Sequence, residues 1–451
     1  MPVLDPVERR RVFSEVNQGY DEARARFEAH RCLQCKVPNC QLGCPVKVPI
    51  KKMMGLVQEG KYAEAIRAVK KNNSLPAICG RVCPQENQCE KNCHMGHNFQ
   101  PVGIGYVERF LGDWEIANGR IAEELPDPRP EKVAVVGSGP AGLTVAGDLA
   151  RKGYKVKIFE ALHNTGGVLR YGIPDFRLPE RVINFEVDGL RQIGVEIECN
   201  VVVGKMITVD ELLEEYAAVF LGTGAGLPSF VKIPGENLTG VYSSNEFLTR
   251  ISLMKGYRFP EYQTPARAGR RTIVVGAGNV AMDSVRCALR LGAEEACIVY
   301  RRTIKEMTAR VEEYHHAIEE GVKFHWLTTP VKVIGDKRGW IKALELERMK
   351  LGEPDASGRA RPVPTGETFI MECDAFIVAI GTSPNPLIAS TTPGLNTQKW
   401  GGVIIDEKTG ETSRDRVYAA GDIVTGSATV ISAAGAGKQV AAAIHKRLSE
   451  K

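Results

Sequence analysis

The sequence predicts an α/β protein: an N-terminal helical domain rich in cysteine, followed by two Rossmann-like dinucleotide-binding domains. Three observations predict it. Two separate segments repeat the order strand, glycine loop, helix, strand. The first 128 residues lack strand-like alternation and hold eight of the twelve cysteines. Pro126, Pro128 and Pro130 separate the two regions; so many prolines forbid a helix interior and favour an extended connection.

A chain of 451 residues has room for about three domains. With 43% apolar and 25% charged residues it is ordinary for a globular protein. A net charge of +5, with both signs mixed along the chain, gives no reason to expect nucleic acid. No uninterrupted apolar run approaches a membrane span, and charged residues follow Met1 closely, so a cytoplasmic location is expected. In that reducing compartment, dense cysteines read as metal ligands rather than disulfides.

In the N-terminal domain, residues 22–29 and 61–71 are charged, alanine-rich helix formers. Two bursts of cysteine interrupt the helical pattern. The first is Cys32, Cys35, Cys40 and Cys44 before Pro45; the second is Cys79, Cys83, Cys89 and Cys93. The first burst, C-x2-C-x4-C-x3-C-P, resembles the ferredoxin run with a longer second spacer. In that run the last cysteine ligates the other cluster. Two zinc sites would also use eight cysteines. Zinc sites more often show widely separated C-x2-C pairs, and zinc cannot accept an electron. Two [4Fe–4S] clusters are therefore expected.

After the linker, residues 132–136 form a β-branched strand running into Gly137-Ser138-Gly139-Pro140-Ala141-Gly142, with a helix beyond. Gly137 permits the tight turn, Gly139 lets the backbone approach a pyrophosphate, and Gly142 lets the helix pack on the strand. Pro140 and Ala141 open the helix, whose N-terminus suits phosphate. Glu160 ends the next strand, where a carboxylate can bind a ribose diol. The second unit has a strand at 272–275, Gly276-Ala277-Gly278-Asn279-Val280-Ala281, a helix over 280–291 and a strand at 296–300. Arg301 and Arg302 stand where the acid should be. Guanidinium groups pair with a 2′-phosphate, so this loop reads as an NADP(H) site. Residues 220–224 and 379–385 read as crossings between the domains, and 351–368 as a polar loop between strands.

A closing element, Ala420-Gly421-Asp422 followed by a helix from Thr429 to about residue 448, resembles the two-dinucleotide-domain flavoproteins. The turn Gly166-Gly167-Val168-Leu169 matches as well. The resemblance implies FAD at the first loop, with Asp422 bonding the ribityl chain and the last helix aimed at the flavin. It makes Gly167, Leu169, Gly421 and Thr429 site residues. Disulfide reductases of that architecture carry a cysteine pair beside the flavin. Cys199, Cys287, Cys297 and Cys373 are isolated in sequence and read as small buried apolar residues. The N-terminal clusters are then the available exit for electrons.

In this order the parts resemble the small (β) subunit of NADPH-dependent glutamate synthase. They are equally similar to the large subunit of the NADH-dependent ferredoxin:NADP oxidoreductase called Nfn. The electron-input half of dihydropyrimidine dehydrogenase shares the plan. The resemblance implies domains at 1–128 (two [4Fe–4S] clusters), 129–240 (FAD, first part), 241–385 (NADPH) and 386–451 (FAD, second part). It places Cys32, Cys35, Cys40 and Cys93 on one cluster, and Cys44, Cys83, Cys89 and Glu108 on the other, leaving Cys79 free. Spacing alone makes Cys79 the eighth ligand. The implied partner is a second subunit: the glutamate synthase large subunit, which makes glutamate, or a smaller NAD-binding flavoprotein, with ferredoxin a further acceptor. In the Nfn version the flavin would bifurcate electrons. A non-catalytic redox sensor is a third reading, distinguished because NADPH need not bleach it.

Overall fold

The computed structural model describes residues 1–355 and 358–450. Short helices build the N-terminal region, chiefly Glu22–His30, Ile50–Gln58, Tyr62–Lys70, Pro76–Val82 and Ile104–Asn118. Asp21 caps the first of these by accepting from Arg24 N at 2.8 Å. Helices Pro76–Val82 and Ile104–Asn118 lie unusually close. A Cβ on Gly80 would meet Arg109 N at 2.5 Å, and one on Gly112 would meet Ala77 Cα at 2.6 Å. That approach brings the buried Cys79 and Glu108 within hydrogen-bonding reach of one side chain, Asn73.

Two parallel five-stranded sheets follow. The first has the order Val417–Ala419, Ala218–Leu221, Lys132–Val136, Lys155–Phe159, Glu196–Glu198. The second runs Val241–Ser243, Ala375–Val378, Arg271–Val275, Glu295–Tyr300, Lys323–Trp326. Their central strands are buried runs of Val, Ile and Ala, as expected where both faces are covered. In both sheets the chain leaves and returns. The crossings expected at 220–224 and 379–385 end in Leu227–Pro228 and Thr382–Ser383, which pair with each other as a short antiparallel ribbon.

The expected loop at 351–368 is instead mostly strand. Ile341–Pro354 and Ala360–Glu372 pair antiparallel, and Thr328–Gly335 completes a three-stranded sheet; residues 356–357 lie outside the described residues. Ala360–Glu372 is an edge strand, which tolerates Pro362 and Pro364, and its exposure leaves no apolar alternation to read.

The N-terminal arm is fastened to the second sheet by buried charge. Glu320, 0% exposed, accepts from Arg9 at 3.1 Å, Arg286 at 2.7 Å and Arg290 at 2.7 Å. Phe176, from the first dinucleotide unit, lies under Arg286 and Arg290, with Arg290 3.9 Å from the ring centroid. Its neighbour Arg177 pairs with Asp283 at 2.7 Å and Glu313 at 3.1 Å. Phe13 stacks on Tyr257 at 4.0 Å. Three parts of the chain thus converge on one buried network. Among the described residues no helix is long and apolar enough to cross a membrane.

Candidate functional site

At the first glycine loop, Gly137 has φ +98°, and a Cβ there would strike Gly222 O at 2.6 Å. A Cβ on Gly142 would lie 2.0 Å from Gly137 O, whereas one on Gly139 meets nothing within 4 Å. Space is therefore open over Gly139 and closed beneath the helix. Helix Pro140–Ala150 has no side-chain cap, so its first N–H groups remain available to an anion. Opposite, Gly167 approaches Gly139 so closely that a Cβ would meet Gly139 Cα at 3.0 Å, and Leu169 is buried behind it.

Glu160 is held in place: one oxygen accepts from Ser138 N at 2.9 Å and from the Ser138 hydroxyl, the other from Leu162 N at 2.9 Å. The Ser138 hydroxyl in turn accepts from Gly166 N at 3.0 Å, tying the loop to the glycine turn. Asp422 accepts from Ala428 N at 3.2 Å, and its other oxygen has no protein donor among the described residues. Burial pushes its carboxyl up to about 6. Burial, with Asp422 and Glu160 nearby, pushes Tyr171 up to about 12. Tyr171, near Asp422 and Glu160, is a candidate the sequence reading missed; its only signal was its place two residues after Leu169. Helix Val430–Ser449 starts at Thr429, which caps it by accepting from Ser432 N at 3.2 Å. This helix packs on Pro140–Ala150, where Gly421 and Gly437 both face Ala141.

The second loop repeats the geometry. Gly276 has φ +129° and its Cβ would fall 2.2 Å from Ala379 O; helix Asn279–Arg290 is again without a side-chain cap. Gly278 faces Thr308, Asn279 accepts from Arg310 N at 2.9 Å, and Val280 is exposed. The arginine pair divides. Arg301 is exposed at the end of its strand. Arg302 is 5% exposed and donates to Ala360 O at 2.8 Å and to Asp355 at 2.6 Å. It anchors the hairpin as well as standing beside the loop.

The cysteines form two groups. Cys32, Cys35, Cys40 and Cys93 line one cavity, walled by Ile50, Met54 and other apolar residues. Burial, then the neighbouring Cys93 and Cys32 thiols, pushes Cys40 up to about 11. Behind it, burial and then Glu108 push Cys44 up to about 11, while the N–H groups of Val48 and Val46 bond its sulfur. Cys83 is raised by Cys79, burial and Glu108; Cys89 by burial, Glu90, Cys44 and Glu108. Glu108 is thus the carboxylate that Cys44, Cys83 and Cys89 share. Burial lifts it to about 7, against a hydrogen bond from Asn73 at 2.7 Å. Its second oxygen makes no hydrogen bond among the described residues. Among the described residues, no three His, Cys, Asp or Glu close on one point at single-ion distance. The outer four thiols line one shared cavity, as the thiolate ligands of an iron–sulfur cluster would. Cys287, Cys297 and Cys373 are buried as expected, whereas Cys199 is half-exposed.

The inner group adjoins helix Val430–Ser449: a Cβ on Gly435 would meet both Pro45 Cβ and Pro45 O at 3.0 Å. Fold and sites together define a two-dinucleotide-domain flavoprotein reductase carrying an iron–sulfur module. Comparison with known proteins agrees. Residues 9–120 match the family model described as dihydropyrimidine dehydrogenase domain II, 4Fe-4S cluster, and residues 131–440 match that of the pyridine nucleotide-disulphide oxidoreductases. The small chain of NADPH glutamate synthase from Azospirillum brasilense is 37% identical, across 99% of this chain and 94% of its own. The β subunit of a NADP(+)-dependent formate dehydrogenase from Moorella thermoacetica is 36% identical across 91% of this chain and 60% of its own. Among solved structures, Mycobacterium tuberculosis FprA in complex with NADPH has a TM-score of 0.61 at 22% identity, covering 71% of this chain and 85% of that one, a likeness of fold. The chain belongs to the family of the NADPH glutamate synthase small chain. It is an NAD(P)H-dependent oxidoreductase that transfers electrons using FAD, NADP(H) and 4Fe–4S iron–sulfur, and it works with a partner subunit.

Proposed function

We propose that this chain is the NADPH-oxidising small subunit of a glutamate synthase, with domains at 1–128, 129–240 with 386–451, and 241–385. NADPH supplies a hydride, and the flavin and two [4Fe–4S] clusters carry its electrons onward. The chain's own residues bind and space these groups. Gly276, Gly278 and the uncapped start of helix Asn279–Arg290 receive the NADPH phosphates, with Arg301 on the 2′-phosphate. Gly137, Gly139 and Gly142 receive the FAD pyrophosphate, Glu160 the ribose and Asp422 the ribityl hydroxyls. Cys44, Cys83, Cys89 and Glu108 hold the inner cluster; Cys32, Cys35, Cys40 and Cys93 the outer one. The observation that supports the reading is the close approach of Pro45, next to Cys44, to Gly435 of the helix that begins at Thr429.

The outer group faces a surface suited to an acidic partner. Residues 32–58 and 91–107 carry Lys36, Lys47, Lys51, Lys52 and Lys91 and no Asp or Glu. Leu33, Val37, Leu42 and Phe99 are exposed in the same segments. The partner is accordingly an acidic, apolar-centred redox subunit in the cytoplasm. Raising salt from 50 to 500 mM is expected to weaken its association, read by binding kinetics.

The match over nearly the full length of the glutamate synthase small chain supports that large subunit as the partner. Anaerobic co-purification from native cells tests it. A large subunit with a glutaminase module is expected; a smaller NAD-binding flavoprotein would replace this reading with the Nfn one. Failure of NADPH to bleach the flavin would make the chain a sensor.

The arginine pair gives a further expectation. Arg301→Ala loses a charge-assisted contact made to the 2′-phosphate alone. NADPH affinity should fall about 10- to 100-fold with little change for NADH. Arg302→Ala should act in the same direction but less, because Arg302 is already paired with Asp355. Equal losses for the two nucleotides, measured by stopped-flow flavin reduction, would withdraw the NADP assignment.

A further inference from the structure

The inner group contains one donor more than a cube needs. Cys44, Cys83 and Cys89 leave one corner, and two side chains adjoin it: Glu108 and Cys79. Cys79 is 0% exposed, one helical turn before Cys83, whose thiol it contacts. Thiolates are the usual ligands of such clusters, so side-chain chemistry alone favours Cys79. What separates the two is Asn73.

Asn73, 1% exposed, precedes helix Pro76–Val82. Its Oδ1 accepts from Leu75 N at 3.0 Å and from Cys79 Sγ at 3.6 Å, and its Nδ2 donates to Glu108 Oε1 at 2.7 Å. A backbone N–H can only donate, so the Leu75 contact fixes which way the amide is turned: oxygen to Cys79, nitrogen to Glu108. The same contact makes Cys79 the donor in its hydrogen bond. Glu108 Oε2 accepts no hydrogen bond among the described residues, and the Glu108 carboxylate is near enough to raise all three remaining thiols.

We propose that Asn73 is a positioning residue that makes Glu108, rather than Cys79, the fourth ligand of the inner cluster. Its carbonyl oxygen occupies the Cys79 S–H and keeps that sulfur from the corner. Its N–H anchors one carboxylate oxygen and presents the other. The inference rests on the assignment of Cys44, Cys83 and Cys89 to one cluster.

The test uses the full-length protein purified anaerobically with its clusters, read by the EPR spectrum of the reduced form and by the midpoint potential of the inner cluster. In the wild-type background Glu108→Ala should change both readings and Cys79→Ser neither. With Asn73→Leu the pattern should reverse: Cys79→Ser now disturbs the cluster and Glu108→Ala is silent. An unreversed pattern overturns the role of Asn73. If Cys79→Ser disturbs the wild-type cluster while Glu108→Ala is silent, the ligand assignment beneath it has failed instead. Asn73→Leu also removes the acceptor for Leu75 N, so the isosteric Asn73→Asp is measured beside it. Asp keeps that acceptor but sets an oxygen against Glu108 Oε1. The inner-cluster signal should shift while the outer signal and the flavin content stay unchanged, and an unshifted signal overturns the proposal.

Discussion

Gly142→Ala is expected to yield protein without flavin. The new Cβ would lie 2.0 Å from Gly137 O and 3.2 Å from Val135 Cγ1. The first neighbour is backbone inside the turn that must hold a pyrophosphate, so it cannot step aside without deforming that turn. Overpacking of this kind costs about 1–3 kcal/mol. The strain falls on the site itself, because helix Pro140–Ala150 must lift from the sheet and carry its N–H groups away. Flavin absorbance per chain after purification measures it. Gly139→Ala separates space from strain: its Cβ meets nothing within 4 Å of protein, so the fold should survive while flavin binding weakens. At the second loop the position of Gly142 is already alanine (Ala281), but Gly276→Ala would set a Cβ 2.2 Å from Ala379 O and should leave the flavin in place but no longer reduced by NADPH. A Gly142→Ala protein with full flavin content would refute the close approach.

Glu320→Ala should be the most destabilising change outside the cofactor sites. It would leave Arg9, Arg286 and Arg290 buried beside one another with the shared carboxylate gone. Breaking a buried ion pair by removing one partner costs about 3–5 kcal/mol, so Tm should fall by roughly three to five degrees if the chain melts as one unit. Acid should loosen the same network. Burial alone would raise the Glu313 carboxyl, but Arg177 and Arg286 override it and hold it down at about 2. A depressed carboxylate contributes its stability in full above its unfolded value and loses it as pH falls through its folded one. Weakening should therefore begin below about pH 4.5 and finish near 2. A melting temperature flat across that range would remove Glu313 from the account.

Both glycine loops were legible because each carries its constraint locally: strand, turn and helix are contiguous, and one missing Cβ per position is visible in the residue name. The cysteine bursts were legible for the same reason. The hairpin of 341–372 was not: only the first half of Ile341–Pro354 is buried, and the rest of the hairpin is largely exposed and carries prolines at an edge. Arg9 and Glu320 lie 311 residues apart, and no local pattern marks such a pairing. Arg302 was readable as a cation but not as one already engaged, because Asp355 reaches it only through the hairpin. Asn73 gave no signal: a single asparagine before a helix reads as a turn or a cap, and its second hydrogen bond, to Glu108, is a matter of tertiary packing.

Helix Val430–Ser449 begins at its cap, Thr429, the end proposed to face the flavin, and touches the cysteine-rich region at Gly435. At 1.5 Å per residue these points are about 9 Å apart along a rigid rod. The rod works as a gauge. Electron tunnelling slows steeply with each added ångström, and a helix fixes its length far more tightly than a loop. Inserting one residue between Ala433 and Gly435 would lengthen the gap by about 1.5 Å and rotate the contact by about 100°. The cost would be counted in turnover rather than in folding: a protein with every cofactor in place, and a broken wire.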